Sequence, residues 1–320
     1  MKKDSREKVI AVQKIQDYLF HKITFFFASL VLLFLIGIIV TLVIAALPTF
    51  KEFGFGFFIS DDWDIVNKKF GILISVYGTL VTAFIALLIA VPISFGIAIF
   101  LTEICPPMLK RFLGTAIELL AAVPSIIYGM FGLFVFAPFY GSYIQPFLQS
   151  TIGKIPFVGV IVSGPMNGIG MLCAGIILAF MIIPFIASVM RDVFEIVPLV
   201  IKESAYGIGC TTWEVVTKIV IPYGKNGIIG GIMLGLGRAL GETMAVTFVI
   251  GNAQKIKLSL FAPGASISST LANQFGEAEP GLHYSSLFAL GLGLFIITFV
   301  VLTAAKLMLR NMEKKEGVKS

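Results

Sequence analysis

Charged residues along this chain bracket long apolar runs. Lys22 to Lys51, Lys69 to Glu103, Glu118 to Lys154, Lys154 to Arg191 and Glu279 to Lys306 each enclose a charge-free stretch. Every one is longer than the about 20 apolar residues that a membrane-spanning helix requires. None alternates with the two-residue period of a membrane β-barrel strand. The pattern predicts six helical spans, at 23–47, 71–101, 113–137, 168–190, 227–250 and 284–308. Pro92 and Pro124 fall inside the second and third, where neighbouring helices of a bundle re-satisfy the freed backbone groups. Leu47-Pro48 is expected to end the first helix, because proline cannot continue a helix interior. That first run exceeds the about 7–15 apolar residues of a cleavable signal core and reads as a retained anchor. The fifth span is the least regular, since Arg238 and Glu242 sit inside it.

Composition removes the alternatives. The chain is 58% hydrophobic and 13% charged, against about 25% charged in soluble domains, so a soluble enzyme and a disordered chain are both excluded. The net charge of +6 is a topology signal rather than a nucleic-acid footprint. Seventeen basic residues lie in the N-terminal segment, the second–third loop, the fourth–fifth connection and the C-terminal tail, against six in the other connections. The positive-inside rule then places both termini in the cytoplasm. The expected organisation is a cytoplasmic segment 1–22, a six-helix transmembrane domain 23–308 that includes a cytoplasmic loop 191–226, and a cytoplasmic tail 309–320. Residues Lys2 to Lys22 mix charges with Val9, Ile10, Val12 and Ile15, a pattern suited to a helix on the anionic inner leaflet. Segments 48–70, 138–167 and 251–283 are expected outside. Cys105, Cys173 and Cys210 lie far apart and give neither a disulfide framework nor a zinc site. His21 and His283 make no metal cluster, and no catalytic constellation is apparent.

Loop 191–226 is too polar to span and too patterned for a plain connector. Helix-forming stretches flank Gly209, where glycine lets the backbone reverse, and Pro222 is expected to end the second stretch. Glu203, Ser204, Ala205, Gly209, Ile219, Ile221 and Pro222 together resemble the EAA loop of ATP-binding-cassette importer permeases. Ser204 stands where alanine is usual and Ile221 where leucine is. The resemblance implies a coupling helix docked on a cytoplasmic ATPase. The chain has no GxxxxGK[ST] run to cradle nucleotide phosphates, so ATP and Mg²⁺ are expected on a separate ATPase subunit and no cofactor on this one.

Inside the fifth span, Gly231, Gly235, Arg238, Glu242 and Ala245 follow one another at steps of four and three. On a continuous helix they share one stripe. Gly231 and Gly235 would permit close helix contact, with the charges in the bundle interior. Two readings stand: Arg238 offers its guanidinium to a passing anion with Glu242 holding it, or the two form an ion pair that locks helices together. Glu118, near the cytoplasmic end of the third span, is weaker evidence.

The run Gly237-Arg238-Ala239-Leu240-Gly241-Glu242-Thr243-Met244-Ala245-Val246 is similar to the fifth span of phosphate-importer permeases of the PstC type. So are Ala121–Gly129, the outer segment Phe57–Trp63 with Phe70-Gly71 and Gly78–Leu80, and Thr270–Ala278. The resemblance implies an all-α permease of the MetI-like ABC importer class. It further implies pairing with a PstA-like permease, delivery of phosphate by an extracytoplasmic binding protein, and a dimeric ATPase below. A permease for another oxyanion such as molybdate, sulfate or phosphonate, a secondary transporter, and a non-transporting phosphate sensor are the competing readings.

Overall fold

The computed structural model describes residues 2–155 and 159–315, with side chains described for 13–155 and 159–311. Among the described residues, six helices are long and apolar enough to cross a membrane. In chain order, helix α1 covers Lys2–Phe53. Helix α2 covers Leu73–Ile104 and the amphipathic α3 covers Pro107–Ala121. Helix α4 covers Ser125–Lys154 and α5 covers Met171–Glu195. The short α6, Leu199–Gly207, leads into α7, Thr212–Leu240, and the short α8, Met244–Val249. Helix α9, Ile267–Gln274, precedes α10, Leu282–Lys315. A two-stranded hairpin pairs Trp63–Asp64 with Lys69–Phe70 on the chain between α1 and α2.

The bounds of three spans are corrected. Helix α1 does not stop at Leu47-Pro48 but runs through Pro48 to Phe53. There the Thr49 N–H donates to Ser285 Oγ of α10 at 3.1 Å, and the Thr49 hydroxyl bonds the same oxygen at 2.8 Å. A neighbouring helix thus supplies polar partners beside the proline. The third span is not 113–137. The chain leaves the helix at 122–124, because Pro124 has no N–H to donate and its ring turns the preceding residue from α geometry. The spanning element is α4, and most of the expected outer segment 138–167 is helix. The fifth span is not 227–250 either: α7 ends at Leu240, and α8 starts after a break at 241–243.

Four prolines share one local arrangement. The π-helical stretches Phe100–Ile104, Gly132–Phe136, Tyr140–Ile144 and Val216–Val220 each end two residues before a proline, namely Pro106, Pro138, Pro146 and Pro222. A π turn bonds five residues back rather than four. This opens the ladder where the proline ring would strike the carbonyl four residues behind it. Pro222 therefore does not end a helix as expected; it sits at the N-terminal end of the regular part of α7, just past a π turn.

Helix α5 is the centre of the main core. Glycine brings α2 against it, since a Cβ on Gly175 would lie 2.6 Å from Ile85 Cγ2. The Ser94 hydroxyl donates to the Ile183 carbonyl at 3.0 Å. On its other side α7 lays Gly224 and Gly227 over Val193, Gly231 over Val189 and Gly235 over Ile186. The β-branched residues of α5 fill a groove that has no side chains, the close approach that small residues permit in lipid. A Cβ on Gly235 would sit 2.5 Å from Ile186 Cδ1. Gly235→Val is therefore expected to cost about 1–3 kcal/mol by overpacking, read as a lower melting temperature of the purified protein. Gly230→Ala, whose Cβ meets nothing within 4 Å, is expected to leave it unchanged.

A second cluster joins α1 and α10 to the hairpin that carries Trp63 and Phe70. Trp63 Nε1 donates to Gln274 Oε1 at 2.9 Å, and His283 Nε2 lies 3.2 Å from the same oxygen. Phe70 stacks on the His283 ring at 5.6 Å. Asp64 accepts from the backbone and side-chain amides of Asn67, which hold its carboxyl below the usual range. This bonding shapes the hairpin turn, where Lys68 takes a positive φ of 53°.

Candidate functional site

Two helix breaks lie next to one another in the fold. Between α3 and α4 the chain is extended at Pro124, and the Tyr128 hydroxyl donates across the break to the Leu120 carbonyl at 3.0 Å. Between α7 and α8 the break carries Glu242, whose Oε1 accepts from the Ala245 N–H at 3.1 Å. The two are in direct contact: a Cβ on Gly129 would lie 3.0 Å from the Met244 carbonyl and 3.1 Å from Ala245 Cα. Ala121–Gly129 and Gly237–Val246 are thus adjacent in space. In membrane transporters, interrupted helices occur where backbone lines a cavity or a substrate path.

Arg238 lies in the last turn of α7. It continues the face set by Gly231 and Gly235 and places its guanidinium over the Phe185 ring of α5 at 5.4 Å. Tyr128 is within its electrostatic reach. The expected single stripe from Gly231 to Ala245 holds only as far as Arg238, because the helix ends before Glu242. Among the described residues no ion pair joins Arg238 to Glu242. Arg238 Nε is buried without a hydrogen-bond partner. A buried, unmatched guanidinium N–H is costly, and its planar donors suit a tetrahedral oxyanion. Glu242 acts locally, as the acceptor for an orphan N–H at the start of α8.

Helices α6 and α7 form the expected hairpin. Gly209 has φ +93°. The Cys210 N–H donates to the Ala205 carbonyl at 3.1 Å and the Gly209 N–H to the Tyr206 carbonyl at 3.0 Å. These are the paired bonds of a Schellman ending, which favours glycine at this position. Thr211 and Glu214 then form a reciprocal capping box that starts α7. Ala205 is buried, while Glu203 and Ser204 are exposed. Leu199, Val200, Ile208 and Trp213 are between 70% and 84% exposed, so the hairpin carries uncovered apolar side chains as well as Glu203.

Two charged residues gained a place that sequence reasoning missed. Lys202 Nζ lies 2.6 Å from Glu103 Oε1, with side chains 9% and 5% exposed, and it also donates to the Phe194 carbonyl at 3.3 Å. The partners are 99 positions apart, so no local spacing announces them. Glu118 is also partnered: Arg191 donates to it at 2.7 Å, and Lys110 reaches Glu195 at 3.1 Å, which ties α3 to α5.

Comparison with known proteins gives a concordant result. Residues 96–315 match the family described as binding-protein-dependent transport system inner membrane component. The phosphate transport system permease protein PstC of Pasteurella multocida (strain Pm70) is 57% identical over 303 residues, covering 95% of this chain and 94% of that protein. The protein of the same description from Mesorhizobium japonicum is 53% identical and covers 98% of this chain and 96% of its own. A bacterial alginate ABC transporter, solved with an alginate pentasaccharide-bound periplasmic protein, shares the fold with a TM-score of 0.55 at 18% identity, over 85% of this chain and 88% of that one. The MetNI methionine ABC transporter in an inward-facing conformation shares it with a TM-score of 0.53 at 15% identity, over 75% of this chain and 95% of that one. With six helices able to span, this is a multi-pass inner-membrane protein of the ABC importer permease fold, and it belongs to the family of binding-protein-dependent transport system inner membrane components.

Proposed function

We propose that this chain is a permease subunit of an ATP-driven importer of inorganic phosphate. The observation that carries the substrate is Arg238, a guanidinium with an unmatched buried N–H at the meeting point of two broken helices. The names of the similar permeases from P. multocida and M. japonicum support phosphate over other oxyanions. A PstA-like permease completes the pathway beside this chain. A dimeric ATPase, which holds ATP and Mg²⁺, docks on the α6–α7 hairpin through Glu203, Ser204 and the uncovered apolar side chains of that hairpin. An extracytoplasmic phosphate-binding protein loads the outer face. ATP-driven closure of the ATPase draws the hairpins together and switches access from outside to inside.

Labelled phosphate uptake in cells lacking this chain, with and without its return, tests the proposal. Restored uptake that excess phosphate competes, and that molybdate and sulfate do not, is the expected result. Restored uptake of molybdate or sulfate with phosphate unaffected would reassign the substrate. Loss of phosphate-responsive regulation with uptake intact would make the chain a sensor.

The charge asymmetry also orients the chain, with both termini cytoplasmic. Single cysteines at Ser5 and at Ser320, the latter outside the described residues, are expected to resist an impermeant thiol reagent applied to intact cells. Labelling of either reverses the orientation.

A further inference from the structure

We infer that the Lys202–Glu103 pair is a strut that makes α6 and the cytoplasmic end of α2 move as one body, carrying displacement of the docking hairpin into the membrane. The inference rests on the proposed ATP-driven function. Its geometry is specific. Lys202 and Ala205, three residues apart and both buried, form the inner face of α6, while Val200, Glu203 and Ser204 face outward. Lys202 therefore points away from the surface offered to the ATPase. Its ammonium bridges three elements: Glu103 of α2 at 2.6 Å, the Phe194 carbonyl of α5 at 3.3 Å, and its own helix. Glu103 belongs to the π turn Phe100–Ile104 that precedes Pro106, so the distortion imposed by the proline is also the segment that meets the coupling helix.

The other described ion pairs are built differently. Glu118, Asp192 and Glu195 are 53%, 61% and 42% exposed in their pairs, and Lys218–Glu214 lies within one helix. Those contacts are open to water and screened. Only Lys202–Glu103 among them is shielded on both sides, and there the attraction is strongest and its direction fixed. A shielded pair is a poor device for stability alone, since an apolar pair of similar volume usually serves as well or better. It does serve to hold register between two elements, the best-attested use of buried charge.

That difference supplies the test. The assembled complex of this chain with its permease partner, ATPase and binding protein is purified into liposomes, and phosphate uptake and ATP hydrolysis are measured together. The variant Glu103→Leu with Lys202→Met leaves no unpaired buried charge. It is expected to assemble and to hydrolyse ATP at the basal rate, with uptake per ATP lowered about tenfold or more, within the range of an ordinary coupling free energy. Lys202→Arg keeps the charge and is expected to retain most of the coupling. A wild-type ratio of uptake to hydrolysis in the apolar pair would reduce Lys202–Glu103 to a structural lock and overturn the inference. So would Lys202→Arg failing as completely as the apolar pair.

Where the apolar pair fails to assemble, Glu103→Asp decides. A lowered ratio in an assembled complex supports the strut, and an unchanged one removes it. A wild-type complex whose ATP hydrolysis shows no response to the phosphate-loaded binding protein would defeat the proposed function itself. That result is seen before any variant is made, and it takes the strut with it.

Discussion

Arg238→Gln is expected to give a protein that inserts and assembles but no longer moves phosphate. A unit charge about 4 Å from another contributes about 4 kcal/mol at an effective dielectric near 20, so removing it from a partly dehydrated path lowers uptake by a factor on the order of 10³. Arg238→Lys keeps the charge without the planar fork and is expected to fall between the two. The decisive variant is Arg238→Gln combined with Glu242→Gln. If Arg238 existed to neutralise Glu242, the double change would restore what the single changes destroy, because no lone buried charge would remain. The structure argues otherwise: Glu242 accepts from the Ala245 N–H, Arg238 lies over Phe185, and no ion pair joins them. The double variant is therefore expected to stay inactive. Glu242→Gln alone, whose amide oxygen can still accept from Ala245, is expected to be milder than Glu242→Ala, which forfeits about 1 kcal/mol of capping. Normal uptake by the assembled double variant would remove Arg238 from the site.

What could be read from sequence divides along a physical line. Apolar runs longer than a bilayer is thick announce themselves, so six spans were legible. Gly209 was legible too, because a reversal between two helical stretches at a glycine is a local event. Helix interruptions were not. Pro124 breaks the chain, whereas Pro48, Pro92 and Pro184 lie within helices. A proline by itself therefore does not decide a break: beside Pro48, Ser285 of another helix supplies a partner to Thr49, which no local spacing shows. The same holds at Glu242. The steps of four and three from Gly231 describe one stripe only if the helix continues, and Gly241 ends it. Lys202 and Glu103 were countable as charges yet invisible as partners, since packing alone brings them together.

Gly209→Val is expected to leave the protein in the membrane and to abolish coupling. The space around Gly209 is open, with nothing within 4 Å of a Cβ built there, so no collision with a neighbour explains the effect. The backbone does. At φ +93° an L-residue pays roughly 1–2 kcal/mol for the left-handed region, and a β-branched one more, since its second branch crowds the backbone. The chain relieves this strain most cheaply by giving up the two Schellman bonds from Gly209 and Cys210. The angle between α6 and α7 is then lost, and with it the fixed placement of Glu203 relative to the start of α7. The spanning helices are untouched, so assembly survives while uptake and the stimulation of ATP hydrolysis by loaded binding protein both disappear. Gly209→Asn gives the control, because asparagine tolerates positive φ and is expected to keep much of the activity. Wild-type uptake and stimulation in Gly209→Val would show that the hairpin does not couple; equal failure of Asn and Val would show that the site needs the absence of a side chain rather than the turn, placing a partner surface directly against Gly209.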